Sequence, residues 1–219
     1  MKSTQIQKIL MALTGFFLCI FLVIHLLGNL QLLLPAEKAK TSFNWYSHFL
    51  SGNILIKIIE ILLFVSVAAH IVYALILTLN AKKANGQKYV YDRRGTASKW
   101  YSRNMGMLGS LILLFLIIHL KDFWYQYKFT DLPIDEQGYK DLYSIVIEAY
   151  RQWWYVLIYL AGIVALGFHL LHGFFSAART LGVYNPKYVK GFRIFGWLYT
   201  GIITAGFMII PVYIHLTII

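Results

Sequence analysis

Four histidines, His25, His70, His119 and His169, each lie in a different long apolar stretch of this chain. Each sits a few residues past the middle of its stretch, in the direction the chain runs. Neutral imidazole is a good iron ligand, and two of them can fill both axial positions of a haem. A single histidine in a membrane span can simply donate to a neighbouring carbonyl. Four of them in four successive spans, at two matching depths, point instead to two bis-histidine haems, one above the other, as an electron path across a bilayer. Zinc fits less well, because a structural zinc site gathers four ligands at one depth and here there are two at each.

These histidines must be positioned by helices. The chain has 219 residues, 59% of them hydrophobic and only 13% charged, with a mean hydropathy of +0.62. A helix crosses about 30 Å of hydrocarbon with roughly 20 residues. Five runs reach that length: 9–34, 54–79, 105–127, 153–178 and 192–216. The expectation is an all-α membrane protein, a five-transmembrane-helix bundle forming a single domain over 1–219 with no soluble module. Continuous apolar runs argue against a β-barrel, whose strands alternate. The first run is longer than a signal-peptide core, is followed by no small-x-small site and carries His25, so it is read as a retained span. The lone Cys19 excludes an internal disulfide and a cysteine-cluster metal site, and reads as a small packing residue.

Orientation follows from Lys and Arg near the span ends. The N-terminus and the 80–104 and 179–193 loops carry 13 of the 20, and the opposite side carries seven together with eight of the nine acids. The formal charge of +11 thus comes from one face, expected to be cytoplasmic, with the N-terminus inside. No nucleic-acid motif accompanies this charge, and no nucleic-acid partner is expected. Helices 1 and 3 then run outward and place His25 and His119 in the outer half. Helices 2 and 4 run inward and place His70 and His169 in the inner half. The pairs are His25 with His119 and His70 with His169, in layers about 10 Å apart by helical rise. Arg93, Arg94, Lys99, Arg103 and Arg179 flank the inner layer. Arg103 and Arg179 are candidates for binding haem propionates, although topology alone also demands positive charge here.

Other residues have two readings each. His172, one turn from His169, competes as inner ligand, and could instead bond a propionate or be plain packing. His215 reads as interfacial. His48 lies in what reads as an outer loop before helix 2. Gly15, Gly28, Gly109, Gly162, Gly167 and Gly173 could leave room for a flat macrocycle, or could let helices approach one another. The 16 Tyr and 6 Trp, notably Trp153 and Trp154, read mainly as an aromatic belt. Tyr143, Val146, Ile147 and Tyr150 repeat at helical spacing, predicting a short helix over Asp141–Arg151 on the outer membrane surface.

The pattern resembles the cytochrome b membrane anchor of succinate dehydrogenases and fumarate reductases, specifically the single-chain, five-helix type with two haems. The likeness rests on LTGFFLCIFLVIHLLGN around His25, AAHIVYAL around His70, YSRNM closing the basic loop, FLIIHLKDF around His119 and GFHLLHGFFSAARTLGV around His169. In the last, a ligand histidine is followed by three residues and a glycine, and later by a glycine ending the helix. Gly173 and Gly182 fit, and this alignment makes His169 the ligand rather than His172. The resemblance implies two haem b groups, with His25, His119, His70 and His169 as iron ligands. It also implies a flavoprotein subunit with covalent FAD, an iron–sulfur subunit docked on the cytoplasmic face, and menaquinone as the usual quinone. The location would be the bacterial inner membrane. There is one departure. Some fumarate reductases of this family carry, two residues before the helix-4 histidine, a glutamate associated with transmembrane proton movement, and this chain has Gly167 there.

An outer haem has a use only if a donor or acceptor waits on the far side, so an outer quinone site is expected. Asn29, Gln31, His48, Glu60, Lys121 and Asp122 are the polar groups at that end. Gln31, His48 and Glu60 are the candidates to bond or protonate the quinone. Glu60 could alternatively pair with Lys57 near the interface. Two other readings compete. One is a dihaem subunit of a nitrate reductase or hydrogenase, but such chains distribute their histidines differently. The other is a proton-coupled transporter, against which the lack of an internal repeat weighs.

Overall fold

The computed structural model describes residues 4–84 and 99–217. Lys2, Lys88, Arg93 and Arg94, counted above in the basic face, lie outside the described residues. Apart from one isolated antiparallel bridge between Ile134 and Lys140, the regular structure of the described residues is helical. In chain order it comprises α1 (Thr4–Asn29), a 3-10 turn (Leu30–Leu33), α2 (Ala36–Gly52), α3 (Ile54–Ala84), α4 (Trp100–Arg103) and α5 (Met105–His119). A π-helical segment (Leu120–Tyr125) follows, then α6 (Gln126–Phe129), α7 (Leu142–Arg151), α8 (Trp153–Thr180) and α9 (Val189–Thr217).

Among the described residues five helical stretches are long and apolar enough to cross a membrane: Thr4–Leu33, Ile54–Ala81, Met105–Phe129, Trp153–Thr180 and Val189–Thr217. In hydrocarbon every backbone N–H and C=O must be bonded within the segment, which is why continuous apolar runs become helices. α8 is the central helix. It packs against α9, α5 and α1, and buries Tyr155, Val156, Tyr159, Ile163 and Leu170 in the core. α3 packs along α1, meets α2 at one end, and buries none of its described side chains.

Helix ends carry local signals. The Asn53 side-chain oxygen accepts the Leu55 N–H at 2.9 Å and starts α3. α8 stops at Gly182, whose φ of +73° admits glycine without strain, and the Val183 N–H returns to the Ala178 carbonyl at 3.0 Å.

Two segments at one end of the bundle differ from the sequence expectation. Residues 35–53, read as a loop holding His48, form the helix α2. Its polar composition hides it from a hydropathy scan, but Ala39, Phe43 and Asn44 make one buried face at helical spacing. The short helix α7 is present, with Asp141 as its N-cap accepting Ser144 N–H at 3.1 Å. Its Tyr143, Val146, Ile147 and Tyr150 face is buried by α2, α8 and α9, so protein covers the apolar face that the sequence expectation puts on the membrane surface.

Asn44 ties this cap together. Its amide donates to Asp135 at 3.0 Å and to Asp141 at 3.1 Å, and its oxygen accepts the Tyr143 N–H at 2.9 Å. Fully enclosed, it leaves no polar atom unmatched, as a buried amide must. Lys40 of α2 pairs with Asp141 at 2.8 Å. The end bearing α2 and α7 is called the capped end below, and the end bearing α4 the opposite end.

Candidate functional site

Two pairs of histidines face one another inside the bundle. At the capped end His25 of α1 meets His119 of α5, with ring centres 5.7 Å apart and planes at 90°. Toward the opposite end His70 of α3 meets His169 of α8, with ring centres 6.2 Å apart and planes at 60°. Each pair joins two helices that do not pack along one another: α1 with α5, and α3 with α8. The two levels can be read from the residues that touch each pair. Gly15 and Thr14 lie against His70, and Tyr159 lies against His119. Gly15 to His25 on α1 and Tyr159 to His169 on α8 are both ten residues, so the levels lie about 15 Å apart. This exceeds the 10 Å read from the sequence.

The imidazoles are held differently. The Thr14 hydroxyl donates to the Leu10 carbonyl at 2.9 Å, so toward His70 Nδ1, 3.2 Å away, it can only accept. That places the His70 proton on Nδ1 and leaves Nε2 free. A Cβ on Gly15 would stand 3.3 Å from His70 Cε1, so glycine lets the imidazole lie close against α1. His119 Nδ1 lies 3.3 Å from the Tyr159 hydroxyl. Asn29 directs its amide to the His25 carbonyl at 2.8 Å and comes within only 3.5 Å of His25 Nδ1. His169 Nδ1 is buried without a hydrogen-bond partner. Aromatic rings enclose the capped-end pair: Phe21 and Phe207 against His25 at 5.2 and 5.5 Å, Phe123 against His119 at 5.5 Å.

These residues fit a haem. Two imidazoles that share one metal at about 2.0–2.1 Å have ring centres roughly 6 Å apart, which is the spacing of both pairs. The helices joined by each pair stand apart from one another, and His169 keeps a buried ring nitrogen that the protein leaves unmatched. Among the described residues no three His, Cys, Asp or Glu gather closely enough to hold a metal ion by themselves. The imidazoles come in twos.

The remaining candidates scatter. His172 Nδ1 is 2.9 Å from Ser102 Oγ, so its ring fastens α4 to α8, and His169 is the one that faces His70. Arg103 is exposed at the end of α4. The Arg179 guanidinium sits over the Tyr184 ring at 5.1 Å. Gln31 donates to the Gly28 carbonyl at 3.2 Å, and His48 lies 4.8 Å from the Tyr139 ring. Glu60 accepts from Trp124 Nε1 at 2.6 Å and pairs with Lys128 at 2.9 Å, so its ionic partner is Lys128 rather than Lys57. Gln31, His48 and Glu60 thus engage three different sets of partners. His215 Nδ1 donates to the Tyr150 carbonyl at 3.0 Å, anchoring α9 to α7. Of the small residues, Gly28, Gly162 and Gly167 serve packing: a Cβ there would meet Tyr46 at 2.6 Å, Phe115 at 2.5 Å and Thr204 at 2.9 Å. Gly109 and Gly173 face open space.

Tyr155 and Tyr159 were not anticipated. They lie four residues apart on α8, both buried, with hydroxyls 3.2 Å apart, and Tyr155 reaches Asp122 at 2.9 Å. The available signal was Lys121–Asp122, a pair of charges inside an apolar span, opposite two tyrosines at i and i+4. The π-helical segment that aims Asp122 begins one residue after His119 and left no mark in the sequence. No family model, curated protein or solved structure matches the chain.

Proposed function

We propose that this chain is the dihaem cytochrome b membrane anchor of a succinate:quinone oxidoreductase, carrying electrons between a cytoplasmic iron–sulfur subunit and membrane quinone. The observation that supports it most is the two-by-two arrangement of His25/His119 and His70/His169, each pair bridging helices that stand apart. Those four side chains would hold two haem b groups, which supply one-electron chemistry when bound. Thr14 keeps His70 in the tautomer that leaves Nε2 available, and Gly15 gives the ring room. The aromatic rings around His25 and His119 give that level an apolar wall. Arg103 and Arg179 supply cations at the opposite end, suited to propionates or to the partner subunit.

By the distribution of Lys and Arg, the opposite end faces the cytoplasm of a bacterium and the capped end faces outward. A flavoprotein subunit carrying FAD and an iron–sulfur subunit complete the complex, and menaquinone is the quinone. The quinone site belongs at the outer, capped end, where Gln31, His48 and Glu60 are the candidate side chains.

The test is the haem-to-protein ratio of the purified chain, with its optical spectrum. Two low-spin b haems per chain are expected. A ratio near one, or a high-spin resting spectrum, would overturn the proposal. Reduction by succinate of the complex purified with its partners separates this family from nitrate reductase and hydrogenase subunits. In sealed vesicles, succinate–quinone activity should change when an uncoupler collapses the membrane potential. Indifference to the uncoupler would move the quinone site to the cytoplasmic side.

A further inference from the structure

His119 is the inner end of a line of hydrogen bonds that leads to the protein surface. Its Nδ1 lies 3.3 Å from the Tyr159 hydroxyl, that hydroxyl lies 3.2 Å from Tyr155, and Tyr155 donates to Asp122 Oδ2 at 2.9 Å. The direction of each bond follows from proton counting. Tyr155 has one hydroxyl proton, and the carboxylate, charged and closer, takes it. The Tyr155 hydroxyl is placed to donate to either neighbour; with its one proton directed to Asp122, the 3.2 Å contact is kept by Tyr159 turning its own proton to the Tyr155 oxygen, which leaves a Tyr159 lone pair for the Nδ1–H of His119. The His119 proton is fixed on Nδ1 and its Nε2 is left free, with a carboxylate polarising the line from the far end.

The line is insulated along its length. Tyr159 and Tyr155 are only 2% and 7% exposed. The Phe115 and Tyr150 rings pack edge-on against Tyr159 at 4.9 and 5.1 Å. Asp122 alone reaches the surface, at 27% exposure, with Lys121 at 3.5 Å from its other oxygen. The π-helical segment Leu120–Tyr125 is what turns Asp122 toward α8. Such segments recur at functional positions in helices. The other three histidines lack such a line. Thr14 of the His70 contact ends on the backbone of its own helix, His25 has only the 3.5 Å approach of an amide, and His169 Nδ1 has no partner.

We propose that Asp122, acting through Tyr155 and Tyr159, is the positioning residue that holds His119 in its Nδ1–H form and strengthens its donation to the metal, lowering the potential of the His25/His119 centre alone. This rests on the haem-binding reading above. The experiment is a redox titration of both centres in the full chain purified from membranes, for wild type, Asp122→Asn, Asp122→Glu, Tyr155→Phe and Tyr159→Phe. The His25/His119 centre is assigned by its loss in His25→Ala. Asp122→Asn, Tyr155→Phe and Tyr159→Phe should raise the midpoint potential of that centre and shift its low-spin resonance, leaving the His70/His169 centre at its wild-type value. Asp122→Glu should return the potential toward wild type. If Asp122→Asn does not fold, Tyr155→Phe decides by the same readout, since it removes one oxygen and keeps the ring. Two haems with neither potential moved, or with both moved equally, would overturn this inference and leave the function standing. A wild-type chain without haem would overturn the function and this inference with it.

Discussion

Glu60 of α3 and Lys128 of α6 form an ion pair of 2.9 Å between two helices that do not pack along one another. Trp124 adds a second bond to the same carboxylate at 2.6 Å. The pair joins α3 to α6 at the capped end. Glu60→Leu strands a half-buried ammonium and an indole N–H, and should cost about 1–3 kcal/mol. Glu60→Gln keeps an acceptor for Trp124 and should cost less. Lys57→Ala should leave the melting temperature in detergent unchanged, and thermal melts of the three variants check this ordering.

The four facing histidines should divide by pair. His25→Ala or His119→Ala should remove or disturb one haem, and His70→Ala or His169→Ala the other. His172→Ala should leave both low-spin centres in place, because His172 serves Ser102 of α4. Optical spectra at low temperature read the outcome. Loss of a centre in His172→Ala with retention in His169→Ala would reverse the assignment on α8.

Gly15 offers a one-sided perturbation. Its missing Cβ would lie 3.3 Å from the His70 ring, close enough that even alanine needs the ring to give by a few tenths of an ångström and a branched side chain needs more. Gly15→Val should broaden or abolish the signal of the His70/His169 centre and spare the other. Thr14→Val, which removes the acceptor of His70 Nδ1, should shift the same centre without unfolding the chain.

The cap should fail in acid. Burial alone would raise the Asp141 carboxyl, but hydrogen bonds from Lys40, Ser144 and Asn44 outweigh it and hold the pKa at about 2, against 3.8 for a free aspartate. Asp135 is lowered as well, its burial outweighed by the Tyr139 N–H, Asn44 and the Gln137 N–H. A carboxyl depressed in the folded state contributes stability that is complete above its unfolded pKa and lost as pH falls through the folded one. Melting temperature should therefore drop between about pH 4 and pH 2, and the drop should flatten in Asp141→Asn. Asn44→Leu should cost about 1–3 kcal/mol for each buried group it leaves unmatched.

The five spans were legible because apolar length is a strong signal, and the pairing of the four histidines followed from alternating direction and depth alone. Three of the readings that changed lost to a specific effect. α2 is too polar for a hydropathy window, and only the Ala39/Phe43/Asn44 spacing betrays it. α7 was seen as amphipathic, but amphipathicity does not say whether lipid or protein covers the apolar face. For Glu60 the sequence offers Lys57 as an ionic partner because neighbours on one helix are visible, whereas Lys128 comes from 68 residues away. The Tyr159–Tyr155–Asp122 line depends on the π-helical turn after His119, a rephasing of the helix by local geometry rather than by composition.

Asn44 and Asp141 are 97 positions apart in the chain, with the second and third spans between them. At roughly 5–20 residues per second of synthesis, the amide waits roughly 5–20 s for its carboxylate to be made. During that interval α2 can pack only on the 3-10 turn and the ends of α1 and α3, and both spans must already have been delivered into the bilayer before the bond can form. The closure of this small polar knot is therefore a late event in biogenesis, and its formation marks a chain whose first three crossings have been threaded in order.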